Sequence, residues 1–179
     1  RGGCCFPFHS MPTLISVEGA IGAGKSTLLD YLKKTLATRG VTFVDEPVSK
    51  WVDSGLLQAN YDGDLSACCF QLAVLATRFQ ALHEALSHSD TIISERSMDA
   101  DCHVFAQSVL TGIDTTAYKL AFDSLKCCLS DHRHVVIYLN VPIDSARERI
   151  NSRARAGEDL ISPDFMRAVD AAHVNWLDT

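Results

Sequence analysis

The stretch Gly19-Ala20-Ile21-Gly22-Ala23-Gly24-Lys25-Ser26-Thr27 constrains this chain more than any other segment of its length. It follows the β-branched run Thr13 to Val17, which ends at Glu18-Gly19 and predicts a buried strand. It precedes Ser26 to Thr38, where Leu28, Leu29, Leu32 and Leu36 recur at helical spacing until Gly40. Glycines between a strand and a helix let the backbone curl until successive N–H groups face one anion. The helix N-terminus then adds its positive end. Lys25 is spaced to reach β- and γ-phosphates, and Ser26 to offer a hydroxyl to Mg²⁺. Residues Gly19 through Thr27 are therefore expected to bind a nucleoside triphosphate. The loop does not choose among GTPases, motor ATPases and small-molecule kinases, which all share it.

Strands and helices alternate along the rest of the chain. Val41 to Val44 is a second strand, closed by Asp45-Glu46-Pro47, because a proline keeps its predecessor extended. Leu65 to Leu86 carries a long helical pattern, Thr91 to Ile93 a third strand, and Asp99 to Leu110 and Thr115 to Leu129 two further helices. His134 to Leu139 is a fourth strand. Pro142 opens a helix towards Arg155, interrupted at Gly157, and Ser162-Pro163 opens a last one through Leu177. Such alternation predicts an α/β fold, a parallel sheet with helices on both faces. Ligands of such sheets sit beyond the carboxyl ends of the strands. Glu18-Gly19, Asp45-Glu46 and Glu95-Arg96 all fall there.

A chain of 179 residues with 47% hydrophobic and 21% charged residues has material for one core. A single domain is expected over residues 11–179, with residues 1–10 as upstream or appended sequence before Met11. The net charge of −6 argues against nucleic acid as a partner, since that needs a basic footprint. No apolar run is long enough to span a bilayer, so no membrane partner is expected. Seven cysteines, in part the adjacent pairs Cys4-Cys5, Cys68-Cys69 and Cys127-Cys128, lack zinc-site spacing and fit reduced thiols in a cytoplasmic protein.

Three polar clusters complete the reading from the residues alone. Glu95 and Arg96 end the third strand, where the carboxylate can hold Mg²⁺ and the guanidinium can neutralise a transferring phosphoryl group. Glu46 ends the second, where it can accept the proton of an incoming hydroxyl, or be a solvated loop acid. Arg149, Arg153 and Arg155 lie on one helical stretch. They form either a lid over the triphosphate near residues 149–158 or a basic surface face.

Taken in order, these residues resemble the deoxynucleoside kinases of the deoxycytidine, deoxyguanosine and mitochondrial thymidine kinase type. Glu18-Gly19-x-Ile21-Gly22-x-Gly24-Lys25-Ser26-Thr27 resembles that family's phosphate loop, and Asp45-Glu46-Pro47-Val48 with Trp51 its E-P-V-x-x-W segment. Leu56-Leu57-Gln58 with Tyr61 resembles L-L-Q-x-x-Y, and Phe70-Gln71 with Arg78 the substrate helix. Glu95-Arg96-Ser97 with Asp101 and Phe105 resembles the E-R-S signature. Arg149-Ile150-x-x-Arg153-x-Arg155-x-x-Glu158 resembles the lid, and Asn175-Trp176-Leu177 a stretch of the late helix. The compact size and wording are most similar to members carried by large DNA viruses of the iridovirus kind. The chain departs at Cys102, where arginine is usual beside the aspartate, and at His103, where an aromatic is usual. The resemblance also implies that the chain stops before the family's last strand.

The resemblance implies a P-loop kinase fold and transfer of the γ-phosphate of ATP, with Mg²⁺, to the 5′-hydroxyl of a deoxynucleoside in nucleotide salvage. Glu46, Arg96 and Lys25 would be catalytic, and Ser26 and Glu95 would hold the metal. Arg149, Arg153 and Arg155 would clamp the donor. Tyr61 and Glu158 would hold the 3′-hydroxyl, Gln71 would read the base edge, and Trp51, Phe70 and Phe105 would pack around the ring. Arg78 and Asp101 bear on substrate choice, because a carboxylate accepts from an exocyclic amino group and repels the carbonyl of thymine. Deoxycytidine is expected first, with purine deoxynucleosides as further candidates, and thymidine stays open because Val74 would leave the site narrow and suited to pyrimidines. The alternatives are a nucleoside monophosphate kinase of the thymidylate type and a weakened nucleotide-binding protein. Homodimers are typical of the family, and Leu72 to Leu82 offers either a dimer face or core. The expected location is the cytoplasm, that of the host if the protein is viral.

Overall fold

The computed structural model describes residues 11–153 and 157–178. Residues 1–10 and Arg155, each given an expectation above, lie outside the described residues. Four strands form one sheet in the order β2-β3-β1-β4, with β1 Thr13–Gly19, β2 Thr42–Val44, β3 Thr91–Glu95 and β4 Arg133–Leu139. Every pairing is parallel: Ile15 of β1 lies opposite Ile93 of β3 on one side and Val135 of β4 on the other. The expected α/β class is what forms.

Helices cover both faces, as a parallel sheet requires. Helix α1, Lys25–Leu36, lays Leu29 on Val17 and Ile93, with Ile15, Leu28, Leu32 and Leu36 around them. The opposite face carries Leu14 and Ile92 against Leu75, Leu82 and Leu86 of α4, Ala67–His88, and Tyr118 and Phe122 of α7, Gly112–Lys126. Burying each such leucine stabilises the fold by about 1.5–3 kcal/mol. Helix α4 starts where the Ser66 hydroxyl accepts from the Cys69 N–H at 3.2 Å. Helix α9, Pro163–Leu177, starts in the same way, with Ser162 accepting from the Phe165 N–H and Pro163 in the first turn.

Among the described residues two α-helices went unpredicted, α2, Val48–Asp53, and α3, Leu56–Asp62, as did the 3-10 turn Glu158–Leu160. Six or seven residues are under two turns, too short for periodicity to register. Gly55 at φ +75° ends one and begins the other. The single helix predicted over Asp99 to Leu110 is composite. It consists of α5, Met98–Ala100, a π-helix, Asp101–Ala106, and α6, Gln107–Val109. Wide turns of this kind occur often at functional sites, and this one begins at Asp101. Helix α8, Ile143–Arg153, begins after Pro142, whose carbonyl accepts from the Ala146 N–H at 3.0 Å.

Candidate active site

The carboxyl ends of β1, β2 and β3 open on a cavity of about 700 Å³. At one end lies the phosphate loop. Gly19, Gly22 and Gly24 hold φ of +144°, +81° and +99°, a path that side chains rarely follow. A Cβ on Gly22 would sit 2.4 Å from the Ala146 carbonyl oxygen, so α8 approaches the loop closely only because the residue is glycine. Arg149 comes from that helix, its Nη1 donating to the Ala23 carbonyl at 3.0 Å. Lys25 is buried and folded back on the loop, its Nζ donating to the Gly19 and Ala20 carbonyls at 3.4 and 3.0 Å. Burial, then the neighbouring Arg96, lowers its pKa to about 7.

Beside the loop, the Ser26 hydroxyl donates to Glu95 Oε1 at 3.0 Å. Burial and the like charge of Glu46 push the Glu95 carboxyl above its ordinary range. A hydroxyl and a crowded carboxylate are the hard oxygen ligands that Mg²⁺ takes, and a cation there would relieve the crowding.

Two arginines converge on Glu46 from other elements. Its Oε1 lies 2.9 Å from Arg78 Nη2 and 3.3 Å from Arg96 Nε. Burial alone would raise this carboxyl, but Arg96, Arg78 and Lys25 together hold it down at about 2. It is therefore an ionised acceptor at any physiological pH. Arg96 itself sits 4.4 Å above the Phe105 ring.

The far end of the cavity is lined by Trp51, Phe70, Gln71, Val74, Asp101 and Phe105. Trp51 meets Phe70 edge to face at 6.0 Å, and its indole N–H is anchored on the Thr77 hydroxyl at 3.0 Å. The Gln71 side-chain oxygen is buried without a hydrogen-bond partner in the protein. Asp101 Oδ2 accepts from Arg78 Nε at 2.5 Å. Burial pushes Asp101 up to about 6 against the pull of Arg78, leaving it ionised at neutral pH.

Tyr61 and Glu158 line the cavity between these ends. Glu158 accepts from Arg153 at 2.6 and 3.0 Å, a bidentate clamp. A Cβ on Gly157, at φ +81°, would fall 2.2 Å from the Tyr61 ring, so this pair packs only around glycine.

Among the described residues, the site residues expected from sequence line one cavity except Gly19, Ala20 and Ala23, which form the phosphate loop behind it, and Arg78. It stands behind the wall, 1% exposed, bonded to Asp101, Glu46 and, through Nη1, the Glu95 carbonyl at 2.9 Å. Its contacts are those carboxylates and that carbonyl rather than the cavity. Cys102 is half-buried against the α4–α7 core. Sequence reasoning assigned no role to Glu18 or Ser97, although a carboxylate inside a buried strand was a readable signal.

A family model for deoxynucleoside kinases matches residues 15–179. This chain belongs to the deoxynucleoside kinase family. A protein of Fowlpox virus (strain NVSL) named a probable deoxycytidine kinase is 30% identical over 171 residues, 91% of this chain and 71% of the relative. A protein of Invertebrate iridescent virus 6 is 30% identical over 176 residues, 93% of this chain and 83% of its own length. The thymidine kinase of Ictalurid herpesvirus 1 (strain Auburn) is 29% identical over 172 residues, covering 91% and 73%. As a deoxynucleoside kinase the chain is a phosphotransferase using ATP on a deoxynucleoside. The relatives carry different nucleosides in their names, so similarity alone does not choose the base. Among the described residues no helix is long and apolar enough to cross a membrane.

Proposed function

We propose that this deoxynucleoside kinase acts on deoxycytidine first, then on purine deoxynucleosides, with thymidine a poorer substrate. The observation that carries this reading is Asp101, an ionised acceptor held by Arg78 in the cavity wall beside Gln71. Cytosine offers an amino group to such an acceptor, and thymine offers a carbonyl. Glu46 orients the 5′-hydroxyl and accepts its proton, Arg96 and Lys25 neutralise charge on the transferring phosphoryl group, and Gly19 to Thr27 cradle the donor phosphates. Arg149 and Arg153, with Arg155, close on the donor, while Tyr61 and Glu158 hold the 3′-hydroxyl. Ser26 and Glu95 would hold Mg²⁺, which supplies charge neutralisation at the phosphates.

A phosphorylated acceptor fits less well, because Glu46 would repel its phosphate. The test is transfer from radiolabelled ATP to each of the four deoxynucleosides, with thymidine monophosphate as control. Deoxycytidine should exceed thymidine in kcat/KM by about tenfold or more, the value of one good polar contact. Equal use of both would remove Asp101 as selector, and transfer to the monophosphate alone would remove the acceptor assignment.

The active form we propose is a homodimer in the cytoplasm, the host's if the protein is viral. The 72–82 stretch of α4 serves as core, with Leu75 and Leu82 fully buried. The exposed apolar pair Ile113 and Leu120 of α7 lies seven residues apart on one helical face and is the better contact surface. Light scattering should give twice the chain mass for the native protein and the chain mass for an Ile113→Asp, Leu120→Asp variant. A monomeric native protein would overturn this.

A further inference from the structure

Among the described residues Arg96 alone, glycines aside, has a positive φ, +68°. A residue with a Cβ keeps that conformation only when its surroundings impose it. Here the Arg96 N–H donates to the Val17 carbonyl at 3.1 Å, and its own carbonyl accepts from the Ser94 hydroxyl at 2.7 Å. The next residue, Ser97, donates its hydroxyl to Glu18 Oε1 at 2.8 Å. That same Ser97 oxygen caps α5 through the Ala100 N–H at 3.2 Å, and the Ser97 carbonyl accepts from the Asp101 N–H.

Glu18 is the outlier in this cluster. It is fully buried on β1, on the sheet face it shares with Ser16 and Tyr138, and it does not line the cavity. A buried carboxylate opposes folding unless its contacts return more than desolvation removes. Its second oxygen has no hydrogen-bond partner, and neither does the buried Nη1 of Arg96. Burial raises the Glu18 pKa, while Arg96, the Ser97 hydroxyl and Arg78 pull the other way. Glu18 also directly precedes Gly19, so one side chain joins the donor loop to the turn carrying Arg96.

We infer that Glu18 is a positioning residue for phosphoryl transfer: through Ser97 it fixes the left-handed turn that aims Arg96 at Glu46 and the acceptor. This rests on the role proposed above for Arg96. The carboxylate sets the position of Ser97, Ser97 sets the peptide that follows Arg96, and the guanidinium is thereby held over Phe105 and against Glu46. Misplacing a charge-neutralising group by about 1 Å lowers turnover by about 100-fold.

The experiment compares Glu18→Ala, Glu18→Gln, Ser97→Ala, the Glu18→Ala/Ser97→Ala double variant and Arg96→Ala in steady-state kinetics, with melting curves for each. Glu18→Ala should lower kcat by about 10–100-fold while the KM for ATP stays within about twofold. Glu18→Gln, whose amide oxygen still accepts from Ser97, should recover most of that loss. The double variant should be no slower than Ser97→Ala, because both act through one contact. Losses that multiply, a loss confined to the KM for ATP, or native kcat in a destabilised Glu18→Ala would each overturn the inference. Where Glu18→Ala does not fold, Ser97→Ala decides alone: lowered kcat at unchanged KM for ATP supports it, and native kcat overturns it. Native kcat in Arg96→Ala would instead sink the role given to Arg96. A slow Arg96→Ala beside a native Glu18→Ala would sink only the inference about Glu18.

Discussion

Replacing Glu46 with glutamine is expected to lower kcat by about 10²–10⁴-fold while leaving ATP binding intact. The geometry decides both halves of that expectation. Glu46 faces the acceptor side of the phosphate loop and is held by Arg78 at 2.9 Å and Arg96 at 3.3 Å. Glutamine matches its volume, so the arginines keep a neutral oxygen to bond and the cavity keeps its shape. The negative charge that would receive the hydroxyl proton is lost. A carboxylate held at about 2 is a poor base towards a free alcohol. In a loose phosphoryl-transfer transition state, however, the hydroxyl becomes acidic only as its bond to phosphorus forms. In the role proposed for Glu46, the ionised carboxylate would therefore orient the nucleophile early and take the proton late. The sign for pH follows: a depressed pKa keeps the active form populated as pH falls, so Glu46 should impose no acid limb on kcat above about pH 4. Stopped-time assays of the variant, with ATP binding by calorimetry, check the first claim. Unchanged turnover would remove Glu46 from the mechanism. A kcat that falls through pH 6 in the native enzyme, and still does so in Asp101→Asn, would contradict the depressed pKa.

Much of this was legible before any coordinates, because local rules carry it. Period-two and period-3.6 patterns, the glycines of the phosphate loop and the Ser162-Pro163 start of α9 act within a few residues of themselves. So the sheet, its helices and the address of the site could be written down from the chain. Residues acting across long separations were harder to read. Arg78 and Glu46 are 32 positions apart, and Glu18 and Ser97 are 79 apart. No spacing rule joins them, and burial of their charges appears only once the strands are registered. Helices α2 and α3 were missed for the opposite reason. They are short, and the walls of the cavity rather than their own propensity hold them: Trp51, Leu57 and Tyr61 pack with Phe70 and Val74 of α4.

Arg78 is the position where these two kinds of information meet, and its loss should have the largest effect on stability. Arg78→Met removes one cation from the buried Asp101 and the partly exposed Glu46, and one donor from the Glu95 carbonyl. Breaking a buried pair by deleting one partner destabilises by about 3–5 kcal/mol, because the remaining charge stays desolvated. In a chain of this length that is a fall of roughly 10 °C or more in the melting temperature. Neutralising the stranded group should recover part of it, so Arg78→Met with Asp101→Asn is expected to melt above Arg78→Met alone. The same logic sets a pH dependence. Without Arg78, the pKa of Asp101 rises further above its unfolded value, so the variant should lose more stability than the native protein as pH increases from 5 to 8. Selectivity should move as well, since an Asp101 that is no longer held ionised presents a weaker barrier to the thymine carbonyl. The ratio of deoxycytidine to thymidine kcat/KM should fall in Arg78→Met and fall further in the double variant. A variant that melts with the native protein would show that Glu46 and Asp101 are solvated. A destabilised variant with unchanged selectivity would confine Arg78 to the fold.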